Sequence, residues 1–460
     1  MHFRFLLIIL LVNCQLLFSQ NITGSWYGNI SLQGTEIPLV FHIKQTGDSL
    51  SSVMDSPSQG AENIPVAHTF FEQNELSLQL PQIMANYKGK LLGDSIDGIF
   101  TQGGLKFLLV LKQAENKSSH KRPQEPKPPY NYHAEEVIIQ NHTDSVTLAG
   151  TLTTPRNKKN FPVVILISGS GTTNRDGEMM GHKPFLVIAD NFARKGIGVL
   201  RLDDRGAGNS TLGRNWQSIT SENFAGDISE AVNFLHNKGF QNIGLAGHSE
   251  GGIIAPMVVA KNKHVKFMIL MAAPAADMLE VLKTQNARIA AASGLSDSLV
   301  QNAIAMNTLL NHTILYGGNS REARDKYFEA LRQKLNFSMP DQEKSFLKDE
   351  IEKMGGSAWY RYFIAYKPKA RLEQITIPVL AINGSKDMQV DAQQNLPVIE
   401  AALKKAGNKN FKVIELPGLN HLFQTAGTGL HTEYSTIEET FSPAALDIMS
   451  SWILSLPKRK

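Results

Sequence analysis

Ile243-Gly244-Leu245-Ala246-Gly247-His248-Ser249-Glu250-Gly251-Gly252-Ile253-Ile254-Ala255 is the stretch from which the rest of the chain can be placed. Ile243 to Ala246 form a short apolar run of the kind that makes a buried strand, and Gly252 to Ala255 open a helix. Between them lies Gly247-His248-Ser249-Glu250-Gly251, a match to G-x-S-x-G. With 36 glycines in 460 residues and serine at roughly 7%, composition alone would give about 0.2 such matches, so context has to decide. A strand running into the motif and a helix leaving it describe a nucleophile elbow, where small neighbours let the chain turn sharply and lift the Ser249 hydroxyl above the sheet. His248 is expected to point elsewhere.

A serine hydroxyl is a weak nucleophile and needs a base within hydrogen-bond reach and an acid to orient that base. Behind an elbow the partners follow in the order Ser, acid, His. Asn383-Gly384-Ser385-Lys386-Asp387-Met388-Gln389-Val390 follows the apolar run Val379 to Ile382, placing Asp387 at a strand's C-terminal end. Leu416-Pro417-Gly418-Leu419-Asn420-His421 follows the run Val413 to Leu416 and brings His421 to the same rim, where open α/β sheets hold ligands. Asp277, after the run Phe267 to Met271, is the competing acid. The backbone N–H of Glu250 is expected to be one oxyanion donor. A second is expected from the glycine-rich loop Ser168-Gly169-Ser170-Gly171-Thr172-Thr173-Asn174-Arg175-Asp176, with Ser170 as first choice and Gly171 as alternative.

Working outward, short β-rich runs alternate with helical patterns from Val163 to Trp452, the signature of a mostly parallel sheet covered on both faces. Val137 to Leu152 read as a hairpin ahead of it. The alternation stops between about 277 and 368, where Met278–Ala292, Asp297–Leu310, Arg321–Leu335 and Asp341–Met354 carry helical spacing, a helical insertion between two strands. Trp359, Tyr360, Tyr362, Phe363 and Tyr366 cluster at its end.

Upstream the period changes to two. Leu39, Phe41 and Ile43, then Leu76, Leu78 and Leu80, then Phe107, Leu109 and Leu111 alternate with other residues, which predicts a small all-β barrel or sandwich over about 21–113. Pro123, Pro126, Pro128 and Pro129 mark 114–132 as a semi-rigid linker to a catalytic domain spanning 133–460. At the start, Arg4, the apolar run Phe5 to Val12 and Ser19 read as a secretory signal peptide over 1–20, cleaved near Ser19 or Gln20 and implying export to the periplasm or beyond. The run is too short to span a bilayer. Lipoprotein processing at Cys14 is the alternative, with polar Asn13 standing against it.

Composition excludes several classes. Cys14 is the single cysteine, so an internal disulfide, a CxxC pair and an iron-sulfur cluster are excluded. The net charge is +4 and diffuse, apart from Lys117 to Lys127 and the tail Lys458 to Lys460, which gives no reason to expect a nucleic-acid partner. No Walker loop, HExxH or dinucleotide fingerprint is present, and no cofactor or metal is expected.

From about Glu135 onward the chain resembles an α/β-hydrolase, close to exported bacterial esterases with a serine nucleophile. The resemblance rests on Ser168-Gly169-Ser170-Gly171 with Asn174-Arg175-Asp176, Leu200 to Ser210, the elbow, Gly384 to Val390 and Gly418 to His421. Gly24-Ser25-Trp26-Tyr27-Gly28 with Asp55 to Gly60 resembles the lipocalin-like β module that precedes some such domains. The resemblance implies Asp203-Asp204-Arg205-Gly206 to be an ion-paired structural turn beneath the site. It also implies that the insertion caps the site, with Trp359 and Tyr362 offered to substrate. The function expected is hydrolysis of a small-molecule carboxylic ester through Ser249, Asp387 and His421. A serine peptidase or aminopeptidase on the same scaffold, and a non-catalytic carrier whose β module binds the ligand, are the alternatives.

Overall fold

The computed structural model describes residues 22–457, save 33–34, 48, 57–60, 84, 103–104, 114–120, 157, 159, 215, 294–295, 319, 336–347 and 349–350. The segment expected to be a signal peptide, with Cys14, the tail from Lys458, and most of the helix expected over 341–354 lie outside these residues. The chain divides into two compact units, residues up to Pro57 with Ala61–Glu115, and 58–60 with 116–460.

The first unit is a nine-stranded antiparallel sheet of β1 (Gly24–Leu32), β2 (Thr35–Thr46), β3 (Ser49–Ser56), β4 (Ala61–Val66), β5 (His68–Glu72), β6 (Glu75–Leu80), β7 (Ala85–Leu92), β8 (Ser95–Gln102) and β9 (Leu105–Gln113). They lie in the order β4-β3-β2-β1-β9-β8-β7-β6-β5. The two edges are consecutive in sequence, and Ser52 Oγ on β3 lies 2.6 Å from Thr69 Oγ1 on β5. The sheet thus curls into a nearly closed barrel, since closure removes exposed edges. Period-two patterning is the cause: Ala85, Tyr87, Gly89 and Leu91 of β7 face in while Asn86, Lys88, Lys90 and Leu92 face out. Trp26, Phe41, Leu78, Tyr87, Phe100 and Leu109 fill the interior. The Tyr87 hydroxyl donates to Ile96 O at 2.8 Å and the Trp26 indole donates to Ile22 O at 2.8 Å, so the polar tips buried there are satisfied.

The second unit carries an eight-stranded sheet of β10 (Tyr132–Asn141), β11 (Val146–Pro155), β12 (Val163–Ile167), β13 (Gly198–Leu202), β14 (Ile243–His248), β15 (Val265–Met271), β16 (Val379–Gly384) and β17 (Phe411–Leu416). Its order is β10-β11-β13-β12-β14-β15-β16-β17, antiparallel in the first two pairings and parallel in the rest. β12 and β13 are buried along their whole length, which only a sheet covered on both faces allows. One face packs α2 (Ser221–Asn237), α3 (Gly251–Lys261) and α9 (Ala392–Lys405) through Ile228, Val232, Ile254, Met257 and Ile399. The other packs α1 (Pro184–Arg194) and α10 (Pro443–Ser455) through Phe185, Phe192, Leu446 and Trp452.

Between β15 and β16 the chain leaves the sheet as α4 (Met278–Ala292), α5 (Asp297–Tyr316), α6 (Ser320–Leu335), α7 (Ala358–Ala365) and α8 (Pro368–Leu372). The insertion is helical, as its spacing predicts. The aromatic cluster is itself a helix, α7, started by Ser357, whose hydroxyl accepts from Tyr360 N. The Pro-rich segment expected as a linker is bonded into the second unit from Lys121 onward. Arg122 donates to Gly181 O, Ile437 O and Ser435 O at 3.0, 2.6 and 2.8 Å, and Gln124 bridges Thr440 and Phe441. Among the described residues no helix is long and apolar enough to cross a membrane.

Candidate active site

β14 delivers Ser249 in a left-handed conformation, φ 53°. That conformation is costly for a residue with a side chain and is held only where the surroundings enforce it. They do so by close approach. A Cβ on Gly247 would stand 2.0 Å from Gly251 O, one on Gly251 2.4 Å from Ile167 O, and one on Gly252 2.3 Å from Ala273 Cβ. Glycine is therefore required at all three places for the turn to close against the sheet.

Asp387, at the end of β16, is completely buried. Its Oδ1 accepts the N–H groups of Gln389 and Val390 at 2.8 and 2.9 Å, and its Oδ2 accepts from His421 Nδ1 at 2.8 Å. A carboxylate only accepts, so Nδ1 carries the proton and Nε2 is left as the basic nitrogen. His421 and Ser249 line one cavity of about 270 Å³. Asp277, the competing acid, caps α4 by accepting from Leu279 N at 3.1 Å and pairs with Lys367. It is not among the residues lining that cavity.

His248 also lines the cavity, contrary to the expectation that it points elsewhere. Its Nε2 donates to His421 O at 2.8 Å, a bond that holds the histidine loop down. Burial, then the adjacent His421 imidazole, push its pKa down to about 3, so it is neutral at ordinary pH.

The loop after β12 passes beside the nucleophile, with a Cβ on Gly169 falling 3.1 Å from Ser249 Cβ. Ser170 lines the main cavity, whereas Gly171 lines a separate cavity of about 20 Å³ behind the loop. The turn Asp203 to Gly206 lies below. Asp203 pairs with Arg175 at 2.8 Å and Arg205 with Asp227 and Asp144 at 2.7 and 2.8 Å, the ion pairing the resemblance implies. Asp204 departs from it, accepting from Ser168 Oγ and from Thr173 N and Oγ1 without an ion-pair partner among the described residues.

Of the aromatic cluster, Trp359, Tyr360 and Phe363 line the cavity. Tyr362 does not: its hydroxyl donates to Glu222 at 3.1 Å, because a residue one place from Phe363 and two from Tyr360 sits well round the helix from both and turns toward α2. Tyr362, expected to meet substrate, is thus bonded to Glu222 and is not among the residues lining the cavity. Further walls come from Met271, Pro274, Met278, Val281 and Leu282, which sequence reasoning missed. Apolar residues after a strand and on an amphipathic helix read as core, and no local signal separates the two roles. Glu250 is buried, and its Oε1 accepts from Ser221 Oγ at 2.6 Å and Trp359 Nε1 at 2.9 Å, so its side chain is engaged within the fold. Its backbone begins α3 directly behind Ser249.

A second row of the same residue types lies on the barrel, where Ser25 Oγ meets His42 Nδ1 and His42 Nε2 meets Asp55 Oδ2, each at 2.8 Å. These residues stand on strands, with no helix following the serine to offer backbone donors.

An elbow serine, a buried acid-imidazole pair and a glycine-rich loop on one rim of a mostly parallel sheet define the serine hydrolases of the α/β-hydrolase fold. A family model described as serine aminopeptidase, S33 matches residues 182–425, more than half of the chain, and the chain belongs to this family. Esterase EstD of Thermotoga maritima is 25% identical over 314 residues, covering 67% of this chain and 65% of that protein. The chain thus spans a little under two thirds of that relative's length. Among solved structures, an esterase of Pyrococcus furiosus has TM-score 0.42 at 16% identity over 70% of this chain and 91% of its own. Est1E from Butyrivibrio proteoclasticus, solved with ferulic acid bound, has TM-score 0.39 at 16% identity over 69% and 96%.

Proposed function

We propose that the protein is an exported hydrolase of neutral carboxylic esters. Ser249 Oγ attacks the ester carbonyl while His421 Nε2 takes its proton, and Asp387 orients and charge-stabilises the imidazolium. The developing oxyanion is held by the backbone N–H groups of Glu250 and Ser170. His421 then protonates the departing alkoxide, and water reverses the sequence to free the acid. The curated relative is named an esterase and the family model a serine aminopeptidase. One observation favours the ester: among the described residues no Asp, Glu, Lys or Arg side chain lines the cavity that Ser249 shares with His421. An aminopeptidase must hold a substrate ammonium, and burying that charge without a partner is costly. Glu250, the carboxylate nearest in sequence, is already engaged by Ser221 and Trp359. Export is proposed from Arg4, the apolar run Phe5 to Val12 and Ser19.

The test compares p-nitrophenyl acetate and butyrate with aminoacyl and dipeptidyl anilides at neutral pH. The best ester should exceed every anilide in kcat/KM, and an anilide that equals it would establish a peptidase. Ser249→Ala should abolish labelling by a fluorophosphonate. Labelling that persists would move the nucleophile elsewhere, with Ser25 the first residue to examine.

A further inference from the structure

We propose that Asp204 is a positioning residue for catalysis, whose carboxylate clasps the loop after β12 and so sets the Ser170 N–H against the oxygen of the ester bound at Ser249. This rests on the ester-hydrolase reading above. The loop is a thin wall: Ser168 and Gly169 line both the main cavity and the 20 Å³ cavity behind it. Its first residues pack closely, Ser168 against Gly251 and Gly169 against Ser249, and beyond them the place of the loop depends on hydrogen bonds. Asp204 Oδ2 supplies them, accepting Ser168 Oγ at 2.7 Å, Thr173 N at 2.9 Å and Thr173 Oγ1 at 3.1 Å. These bonds bracket Gly169 to Thr172. Asp203 fixes only the far end, accepting Arg175 N at 2.7 Å.

The neighbouring carboxylates have cations, Asp203 in Arg175 and Asp227 in Arg205, and Asp204 has none among the described residues. Burial pushes its carboxyl up to about 6, against the bonds from Ser168 and Thr173 and with the help of Asp227. A folded-state value above the unfolded one means that the native state loses stability as pH rises from about 4 to 6, with the full loss retained at neutral pH. A neutral side chain of the same shape would avoid that loss. Asn offers that alternative, with its amide oxygen toward the loop and its NH₂ toward the small cavity, where Asp227 and Glu250 also lie.

Wild type, Asp204→Ala, Asp204→Asn and the double substitution Ser168→Ala with Thr173→Val are compared on p-nitrophenyl butyrate. Asp204→Ala should lose on the order of 10² in kcat, the scale of one lost oxyanion donor, with KM within about threefold. Asp204→Asn should recover kcat to within about tenfold of wild type, with a Tm at pH 8 equal or higher. The double substitution should lose kcat in the same sense and carries the test if Asp204→Ala does not fold. A kcat for Asp204→Ala, or in its place for the double substitution, within about threefold of wild type overturns the proposal. So does an Asn variant as slow as the Ala variant. Absence of ester turnover in wild type would overturn the ester reading instead, and the clasp would then be judged by rates of fluorophosphonate labelling, which builds the same charge on oxygen.

Discussion

Trp359 of the helical insertion donates its indole N–H to Glu250 Oε1 at 2.9 Å, so a wall of the cavity is tied to the residue next to Ser249. Ser221, first residue of α2, donates to the same oxygen at 2.6 Å. Insertion, elbow and α2 meet at one buried carboxylate.

Trp359→Ala should therefore shift the preferred p-nitrophenyl ester toward longer acyl chains, because the ring that bounds the cavity is removed. Glu250→Leu should cost about 1 to 3 kcal/mol in urea unfolding, since it leaves the indole N–H and the Ser221 hydroxyl without an acceptor. Glu250→Gln keeps the acceptor and should cost less. An unchanged chain-length profile in Trp359→Ala would show that the ring does not meet substrate.

His248 gives a pH dependence of known sign. Its folded-state pKa is lowered from 6.5 to about 3, so between those values the unfolded chain binds a proton that the native one refuses. This group's contribution to stability is complete above about pH 6.5 and is lost as pH falls toward 3, by at most about 1.4 kcal/mol per pH unit. His248→Gln keeps an N–H donor for His421 O and removes the titration. Unfolding free energy measured from pH 4 to 7 should fall less steeply with acid in the variant, and equal slopes would refute the assignment.

Truncation tests the segment ahead of β10. A chain beginning at Lys121 retains Arg122 and Gln124, which hold the backbone from Ser435 to Phe441, and Phe441 lines the cavity. It should keep full turnover of a small ester. A chain beginning at Tyr132 loses these bonds, and with hydrogen bonds to a charged donor worth about 1.5 to 3 kcal/mol each its Tm and kcat should both drop. Equal behaviour of the two chains would show that the segment is dispensable.

By itself the sequence determined what depends on local chemistry. Period-two and period-3.6 patterning located the barrel strands, the sheet and the insertion, and α4 begins and ends where that patterning puts it. Gly247, Gly251 and Gly252 were legible because a sharp turn against a sheet admits no Cβ, and Asp387 and His421 because each follows a strand at its C-terminal end. The tertiary structure alone decided the rest. That Trp359 meets the cavity while Tyr362 turns to Glu222, that Asp204 serves the loop while Asp203 binds Arg175, and that Arg122 anchors a segment which reads as linker are all long-range facts. Spacing fixes which face of a helix or turn a side chain occupies. What stands opposite that face depends on how distant elements pack, and residue types that pack, pair or bind look alike until they do.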